Sequence, residues 1–422
     1  MKKIYAILLI YASIRIGLLF SGYYSAADAE LARDASLYFS KDEIGRSADY
    51  FRWGYEFKTL MFLNAAAYYF LCVKTFFSES FAKKAARFEA ANAYVSIPLF
   101  VFEFYAGFIL SVLPYRFING YLKESYFNFT RLSPAGWLLM HVKQAVVEAL
   151  IVSLILIFIK LIISKFAKSW HFILPLCVPA AGLVFSIAAQ FLILPFFYVS
   201  SPMPESSLKK KLAAIAGAHG VSASEIYVIN ESAYSNHTNA FFTGFGPFKN
   251  IYLCDTLFQS HTGGEIESIY AHELGHYIYN HEFYGILTAS AAICAFIFVI
   301  KLFIRRRKIP PQVLTANFNR SAALMIILFY HVAGFFAMPV ENYISRQFER
   351  ACDRFAIESV IKYNQSVLKN YKPGEAAENA KNLFINLARK NLSNLAPDRF
   401  NYFFFATHPA VAERIKNCEK YL

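Results

Sequence analysis

Charged residues and paired cysteines are both scarce in this sequence. Only 17% of the 422 residues are Asp, Glu, Lys or Arg, whereas 57% are hydrophobic and 18% are aromatic. A soluble protein of this size needs more polar residues to cover its surface, so the composition indicates a multi-span membrane protein. The six cysteines include no Cys-x-x-Cys pair, so they suggest neither a sulfur-ligated metal nor a disulfide framework.

Acidic residues are fewer than basic ones, and the formal net charge is +13. No run of Lys or Arg is interleaved with aromatic residues on a plausible binding face, so we expect no nucleic-acid partner. A basic excess is instead typical of loops beside anionic lipid. Internal repeats and low-complexity linkers are also absent. The charge therefore agrees with a protein surrounded by a lipid bilayer.

Long apolar runs are abundant. A helix needs roughly 20 apolar residues to cross the hydrocarbon layer, and the runs near that length are 4–20, 60–77, 94–113, 142–163, 172–199, 284–303 and 322–340. The first run could instead be a signal peptide, because Met-Lys-Lys precedes it and small residues follow it. Arg15 lies inside that run and disfavours this alternative. We therefore predict a mainly α fold with seven transmembrane helices.

Two stretches are polar enough to fold in water, 200–283 and 341–422. The first has a helical pattern ending at Gly220, then short β-branched and aromatic runs separated by the glycines and proline of a hairpin. The second opens with a segment without Gly or Pro, typical of a helix leaving the membrane. We predict membrane segments at 1–199 and 284–340, and one small α+β domain assembled from the two polar stretches.

The segment His-Glu-Leu-Gly-His at 272–276 lies just before the sixth apolar run. Two histidines four residues apart lie on the same face of a helix, where both imidazoles can bind one Zn²⁺. Glu273 then lies beside the open position of the metal. A helix that happens to carry two histidines is the alternative, but the flanking apolar residues recur at helical spacing. We expect His272 and His276 to bind one zinc per chain, and we interpret His281 as structural.

A catalytic zinc needs a third protein ligand, and the chain geometry indicates Glu349. The sixth and seventh runs should form an antiparallel hairpin whose tip contains Pro310, because proline cannot continue a helix. His276 lies 34 residues before Pro310 and Glu349 lies 39 residues after it, so both reach a similar height on one side of the membrane. Asp353, one turn beyond Glu349, can accept the second N–H of a ligating histidine.

Several segments together resemble the type I CaaX prenyl proteases, integral-membrane zinc endopeptidases of the gluzincin type that are related to HtpX. The matching segments occur in the same order as in that family and extend along most of the chain. They are NFTRLSPAGWLLMHVKQ, SNHTNAFFTGFG, NIYLCDTLF, HELGHYIYNH, SRQFERACDRFA and THPAVAERI. The resemblance implies a barrel-like bundle of seven transmembrane helices that encloses a water-filled chamber. The first hundred residues match only in hydropathy.

The resemblance implies roles for the residues that match the metal-binding motifs. It makes His272, His276 and Glu349 the zinc ligands. Glu273 becomes the general base that activates the attacking water. Asp353 becomes the residue that orients a ligating histidine through the ring nitrogen that does not bind the metal. These roles agree with the reading from spacing and hairpin geometry.

The resemblance also implies roles that spacing alone does not indicate. His408 would stabilise the oxyanion, and Arg414 would help to organise the site. Asn239, Ala240 and Phe241 would lie on an edge strand that binds the substrate backbone. From the residues alone, Asn239 reads as a turn residue and His408 as a structural histidine before a proline.

The implied substrate is a prenylated peptide ending in C-a-a-X, which loses its C-terminal tripeptide. Strand addition uses main-chain hydrogen bonds and tolerates many sequences, so a broad membrane-protein quality-control protease is an alternative. A catalytically silent scaffold is another, although a structural zinc site has no use for Glu273. An intramembrane site-2-type protease and a transporter are disfavoured, because acidic residues surround the motif and a transporter leaves it unexplained.

The side of the membrane that carries the site has two readings. The basic residues at 2–3, 83–87, 165–168 and 305–308 fall on the face opposite the catalytic segments. The positive-inside rule then places the zinc site outside the cytosol. The resemblance to eukaryotic members implies the cytosolic face, and the three lysines at 209–211 agree with it.

Overall fold

The computed structural model describes residues 13–14, 16–17, 28–76, 93–221, 226–306 and 320–422. Helices dominate these residues and a small sheet accompanies them, in agreement with the predicted mainly α fold. Most of the first apolar run, with Arg15, lies outside the described residues. The predicted hairpin tip at Pro310 lies outside them as well.

The amino-terminal half of the described chain is helical, with two π-helical turns. The helices are Ala29–Ala35 (α1), Lys41–Phe76 (α2), Ala93–Phe117 (α3), Lys123–Tyr126 (α4), Pro134–Lys165 (α5), Trp170–Ala188 (α6) and Leu194–Phe197 (α7), and the π-helical turns are Ile118–Leu122 and Ala189–Ile193. Helix α5 begins where Ser133 Oγ accepts a hydrogen bond of 3.1 Å from the Gly136 N–H and Pro134 occupies the first turn. Both features are typical helix starts.

Four helical stretches in the described part of the chain are long and apolar enough to cross a membrane. They are Tyr94–Tyr126, Pro134–Lys165, Trp170–Phe197 and His281–Arg306. These stretches correspond to the third to sixth predicted runs, the fifth of which extends two residues beyond its helix. A shorter apolar stretch, Leu60–Cys72, lies in α2 within the second predicted run.

A four-stranded sheet follows the fifth run. Its strands are Ser200–Pro202 (β1), Ile226–Ile229 (β2), Ala240–Thr243 (β3) and Asn250–Cys254 (β4), in the order β1-β2-β4-β3. Strands β2 and β4 are parallel, whereas the β1–β2 and β3–β4 pairs are antiparallel. Ala240 pairs with Leu253 in the β3–β4 hairpin. Among the described residues no strand pairs with the outer side of β3, so β3 is a free edge.

The carboxy-terminal half is helical except for the sheet. Its helices are Ser207–Gly217 (α8), Asp255–Ser260 (α9), Gly263–Ile278 (α10), His281–Arg306 (α11), Arg320–Val367 (α12), Pro373–Asn391 (α13), Arg399–Phe405 (α14) and Val411–Glu419 (α15). Helix α12 has 48 residues and contains the seventh apolar run together with the segment predicted to leave the membrane. One continuous helix therefore connects that run to Glu349.

One hydrophobic core joins the sheet to the last helices. It contains Ile251 and Leu253 of β4, Leu274 of α10, Ile357 of α12 and Ile415 of α15, all of which are buried. Burying each such side chain stabilises the fold by about 1.5–3 kcal/mol. The core thus packs α10 from the first polar stretch directly against α12 and α15 from the second.

Candidate metal centre

Helix α10 places two histidines side by side. The helix begins with a capping box, in which Thr262 Oγ1 accepts from the Glu265 N–H at 3.3 Å and Glu265 Oε2 accepts from the Thr262 N–H at 2.6 Å. The capping box fixes where the helix starts. His272 and His276 then lie one turn apart on the same face, and their Nε2 atoms are 3.2 Å apart.

Helix α12 brings a carboxylate to the two histidines. It approaches α10 closely at Gly275, where a Cβ atom would lie 3.1 Å from Cys352 Sγ. A larger residue at position 275 would therefore push the two helices apart. In this packing Glu349 Oε2 lies 3.2 Å from His272 Nε2, and Glu349 Oε1 lies 3.4 Å from His276 Nε2.

The three donor groups fit one tetrahedral metal ion. Zinc bonds of about 2.0–2.1 Å to nitrogen and oxygen place two tetrahedral ligands about 3.3–3.4 Å apart. The three measured separations are 3.2, 3.2 and 3.4 Å. Two imidazoles and one carboxylate are also a donor set that zinc proteins use. His272, His276 and Glu349 can therefore hold a metal together.

The electrostatics of this group favour a cation. Burial alone would raise the pKa of Glu349, but its contacts with His272 and His276 outweigh burial and hold the pKa below its ordinary range. Burial lowers the pKa of His272, yet Asp353 and Glu349 outweigh that effect and raise the pKa to about 10. The carboxylates of Glu349 and Asp353 thus stabilise positive charge at the imidazoles, which a proton or a metal ion can supply.

Asp353 and Arg414 support His272 from behind. Asp353 Oδ1 lies 2.9 Å from His272 Nδ1, and Arg414 donates two hydrogen bonds of 2.8 and 2.5 Å to the same carboxylate. The Arg414 guanidinium also lies 4.0 Å from the centroid of the Phe384 ring. Burial raises the pKa of Asp353, but Arg414 outweighs burial and leaves that pKa lowered. Asp353 is therefore an ionised carboxylate in direct contact with His272 Nδ1.

Glu273 lies next to His272 in α10 and is half-buried. Burial raises the pKa of this carboxyl group, and the nearby His272 and His276 oppose the rise only in part. The backbone N–H of Phe242 in β3 also faces Glu273 and lowers its pKa. A raised pKa suits a carboxylate that must accept and return a proton.

His408 reaches the same group from the loop between α14 and α15. Its Nε2 atom lies 3.4 Å from Glu349 Oε2, and 56% of its side chain is exposed. The hydroxyl of Thr407 lies 2.8 Å from His408 Nδ1. The structure therefore brings His408 beside the three donors, with solvent on its other side.

The free edge of the sheet exposes alternate backbone groups. The Cys254 N–H of β4 donates to the Asn239 C=O at 3.0 Å, so Asn239 and Phe241 direct their backbone groups toward β4. By the alternation of an antiparallel pair, Ala240 and Phe242 direct theirs toward the free edge. Ala240 is buried but directs its main-chain groups to this edge. Asn239 is exposed, whereas the Phe241 ring stacks on Tyr252 of β4 with ring centroids 5.1 Å apart.

His281 and Cys352 contact the site, although sequence reasoning assigned neither to it. His281 Nδ1 lies 3.1 Å from His276 Nδ1, and Cys352 Sγ lies 3.4 Å from the same His281 atom. His276, His281 and Cys352 also form a second group of potential metal donors. The signal in the sequence was a third histidine five residues after His276, across the break between two helices.

Comparisons with known proteins identify the class to which this fold and site belong. Residues 202–422 match the model of peptidase family M48. This match spans more than half of the chain, so the chain belongs to peptidase family M48. The family is one of metallopeptidases, which agrees with the donor group of His272, His276 and Glu349.

Individual relatives agree with the family. The chain is 29% identical to the uncharacterized metalloprotease YhfN of Bacillus subtilis, over 76% of this chain and 72% of the relative. It is 25% identical to the probable CAAX prenyl protease 1 of Schizosaccharomyces pombe, over 80% of this chain and 68% of the relative. It is 26% identical to the CAAX prenyl protease 1 of Saccharomyces cerevisiae, over 72% of this chain and 67% of the relative.

The fold is also similar to a solved structure. The crystal structure of S. mikatae Ste24p matches with a TM-score of 0.74 over 97% of this chain and 96% of that chain, at 20% identity. This likeness confirms the predicted fold, a mainly helical membrane bundle with a small sheet. Together with the four apolar helices in the described residues, it makes the chain a multi-pass integral membrane protein. Its membership of family M48 makes the chain a metalloendopeptidase.

Proposed function

We propose that the chain is a zinc metalloendopeptidase that removes the C-terminal tripeptide from prenylated peptides. The observation that carries this proposal is the convergence of His272, His276 and Glu349, with Glu273 beside them and a free strand edge nearby. The relatives named as CAAX prenyl proteases support the choice of substrate.

One zinc ion per chain would be held by His272, His276 and Glu349. When bound, zinc polarises the scissile carbonyl and makes a water molecule acidic enough to attack near neutral pH. Asp353 lies against His272 Nδ1 and so directs the Nε2 atom toward the ion, and Arg414 holds Asp353 in turn. The ligand is thereby oriented before any metal arrives.

Side chains of the protein carry the protons. Glu273 takes a proton from the attacking water while the water oxygen bonds to the carbonyl carbon. The peptide C–N bond then breaks, and Glu273 returns the proton to the leaving amine. His408 donates a hydrogen bond to the carbonyl oxygen as negative charge develops, and such a donor contributes about 3 kcal/mol in other enzymes.

The substrate would bind as an added strand along β3. Ala240 supplies the backbone N–H and C=O on the free edge, and the side chains of Asn239 and Phe241 contact the peptide. Main-chain hydrogen bonds of this kind impose little sequence preference. A lipid group on the substrate is then the feature that can select it.

The arrangement of the chain fits a substrate that arrives from the bilayer. Helix α11 begins three residues after α10 ends, and α12 runs without a break into the segment that carries Glu349. We infer that 200–283 and 341–422 form one protease domain on membrane segments 1–199 and 284–340. The shared core of α10, α12 and α15 supports this division.

The test uses the purified full-length protein with two peptides that differ only in a farnesyl group. We expect cleavage of the farnesylated peptide between the cysteine and the first aliphatic residue, identified by the masses of the two products. A zinc chelator should abolish the reaction and Zn²⁺ should restore it. Glu273→Gln is the matched control for contaminating peptidases.

Two outcomes would contradict the proposal. Equal rates on both peptides would indicate a general membrane endopeptidase without lipid selectivity. Cleavage of neither peptide by protein that contains zinc would indicate a silent scaffold.

A further inference from the structure

The two histidines of the metal centre have different partners behind them. The Nδ1 atom of His272 faces the Asp353 carboxylate at 2.9 Å. The Nδ1 atom of His276 faces another imidazole, that of His281, at 3.1 Å. A hydrogen bond at this distance joins one protonated nitrogen to one unprotonated nitrogen.

The position of one proton decides whether His276 can bind a metal. A neutral imidazole carries its proton on one ring nitrogen only. If His281 Nδ1 accepts, the proton lies on His276 Nδ1 and His276 Nε2 is free to bind the ion. If His281 Nδ1 donates instead, a neutral His276 carries its proton on Nε2 and cannot bind.

The surroundings fix the position of the His281 ring and place a second potential donor at its Nδ1 atom. The ring stacks on Phe348 of α12, with centroids 4.1 Å apart and planes inclined by 7°. The thiol of Cys352, which is fully buried, lies 3.4 Å from His281 Nδ1. A thiol is a weak donor, so a second donor also faces this nitrogen and favours an unprotonated Nδ1.

We propose that His281 is a positioning residue for the metal ligand His276. Its Nδ1 atom accepts the Nδ1–H of His276, fixes the tautomer and aims Nε2 at the metal. The inference rests on the proposed zinc site. His281 replaces the carboxylate or carbonyl that a ligating histidine usually contacts.

The test compares two substitutions whose side chains have similar shapes, His281→Asn and His281→Leu, in the full-length protein. Both remove the ring that stacks on Phe348, but only Asn keeps an acceptor near the position of Nδ1. Zinc affinity is measured by competition with a chromogenic chelator, and the visible spectrum of the Co²⁺-substituted protein reports the ligand geometry. We expect His281→Leu to weaken zinc binding about 10–100-fold, and His281→Asn to recover most of that loss.

A third variant and a control separate positioning from general stability. His281→Phe keeps an aromatic ring on Phe348 but has no acceptor, so it should bind zinc as weakly as His281→Leu. His219 packs against Phe355 of α12, with ring centroids 4.8 Å apart and planes inclined by 50°. His219→Phe should therefore leave the zinc affinity and the Co²⁺ spectrum unchanged.

Three results would overturn the inference. Equal zinc affinity in wild type, His281→Asn and His281→Leu would leave His281 without a positioning role while the zinc site itself stands. Two zinc ions per chain, with one lost in Cys352→Ala, would make His276, His281 and Cys352 a metal site of their own. A wild-type protein that binds no zinc would remove the proposed site and this inference together.

Discussion

Asp353→Asn should separate fold stability from metal affinity. Asp353 is buried and Arg414 is largely buried, with 5% and 14% of their side chains exposed. The substitution leaves Arg414 without a counter-charge, and losing one partner of a buried pair costs about 3–5 kcal/mol of unfolding free energy. It also removes the carboxylate behind His272, which should weaken zinc binding about 10–100-fold, or about 1.4–2.8 kcal/mol.

The two effects can be measured independently. Thermal unfolding of the zinc-free protein in detergent reports the loss of the ion pair, and chelator competition reports the zinc affinity. The double variant Asp353→Asn/Arg414→Met removes both charges, so it should recover much of the stability. It should not recover the zinc affinity, because His272 still lacks its carboxylate.

Glu413→Gln is the matched control. Glu413 pairs with Arg350 across the same two helices at 2.6 Å, but about a third of each side chain is exposed. Breaking an exposed pair should cost less than about 1 kcal/mol. The reasoning is refuted if Asp353→Asn leaves the zinc affinity unchanged, or if the double variant restores stability and zinc affinity together.

Three further substitutions test single roles. Glu349→Gln should lower zinc occupancy, measured by metal analysis, because a neutral amide is a poor replacement for a carboxylate ligand. Glu273→Gln should keep zinc and lose turnover; metal loss instead would show that its role is wrong. Burial raises the pKa of Glu273, so the ionised carboxylate destabilises the zinc-free folded protein at neutral pH. Glu273→Gln should therefore raise the melting temperature of the zinc-free protein at neutral pH. Below about pH 4.3 Glu273 is protonated in both the folded and the unfolded protein, and the substitution should no longer raise the melting temperature. His408→Phe should reduce kcat in the peptide assay with zinc retained, and an unchanged kcat would exclude it from oxyanion binding.

The three residues that we propose as metal ligands could be expected to lie together because each position follows from a simple geometric rule. His272 and His276 share a helix face through the 3.6-residue period alone. The position of Glu349 followed from one assumption, that two apolar runs form an antiparallel pair. In such a pair, residues at similar distances from the hairpin tip reach similar heights. The structure places these three residues within hydrogen-bonding distance of one another.

Other contacts could not be predicted from the sequence because they depend on the packing of distant segments. His281 begins a new helix after Asn280, which has a left-handed φ of 55°, so helical periodicity from His276 does not extend to it. The free edge of β3 was implied only by the family resemblance; residue patterns could not give it because it depends on the strand order, in which β4 pairs with both β2 and β3.

The membrane helices also combine features that the sequence predicts with features that depend on packing. The runs at 94–113, 142–163 and 284–303 each lie within an apolar helix of membrane length, and the run at 172–199 extends two residues beyond such a helix. The run at 60–77 instead lies at the end of α2, whose first turns are polar and form an ion pair of 2.6 Å between Glu43 and Arg389 of α13. Hydropathy alone gave no sign that this helix also packs against the carboxy-terminal helices.

The position of a bound metal tests the central claim most directly. Crystals of the zinc-loaded Glu273→Gln variant, measured on both sides of the zinc absorption edge, locate the ion by anomalous scattering. We predict one peak per chain, about 2.0–2.1 Å from His272 Nε2, His276 Nε2 and a carboxylate oxygen of Glu349. A peak between His281 and Cys352 instead, or no peak at the Glu349 carboxylate, would contradict the account.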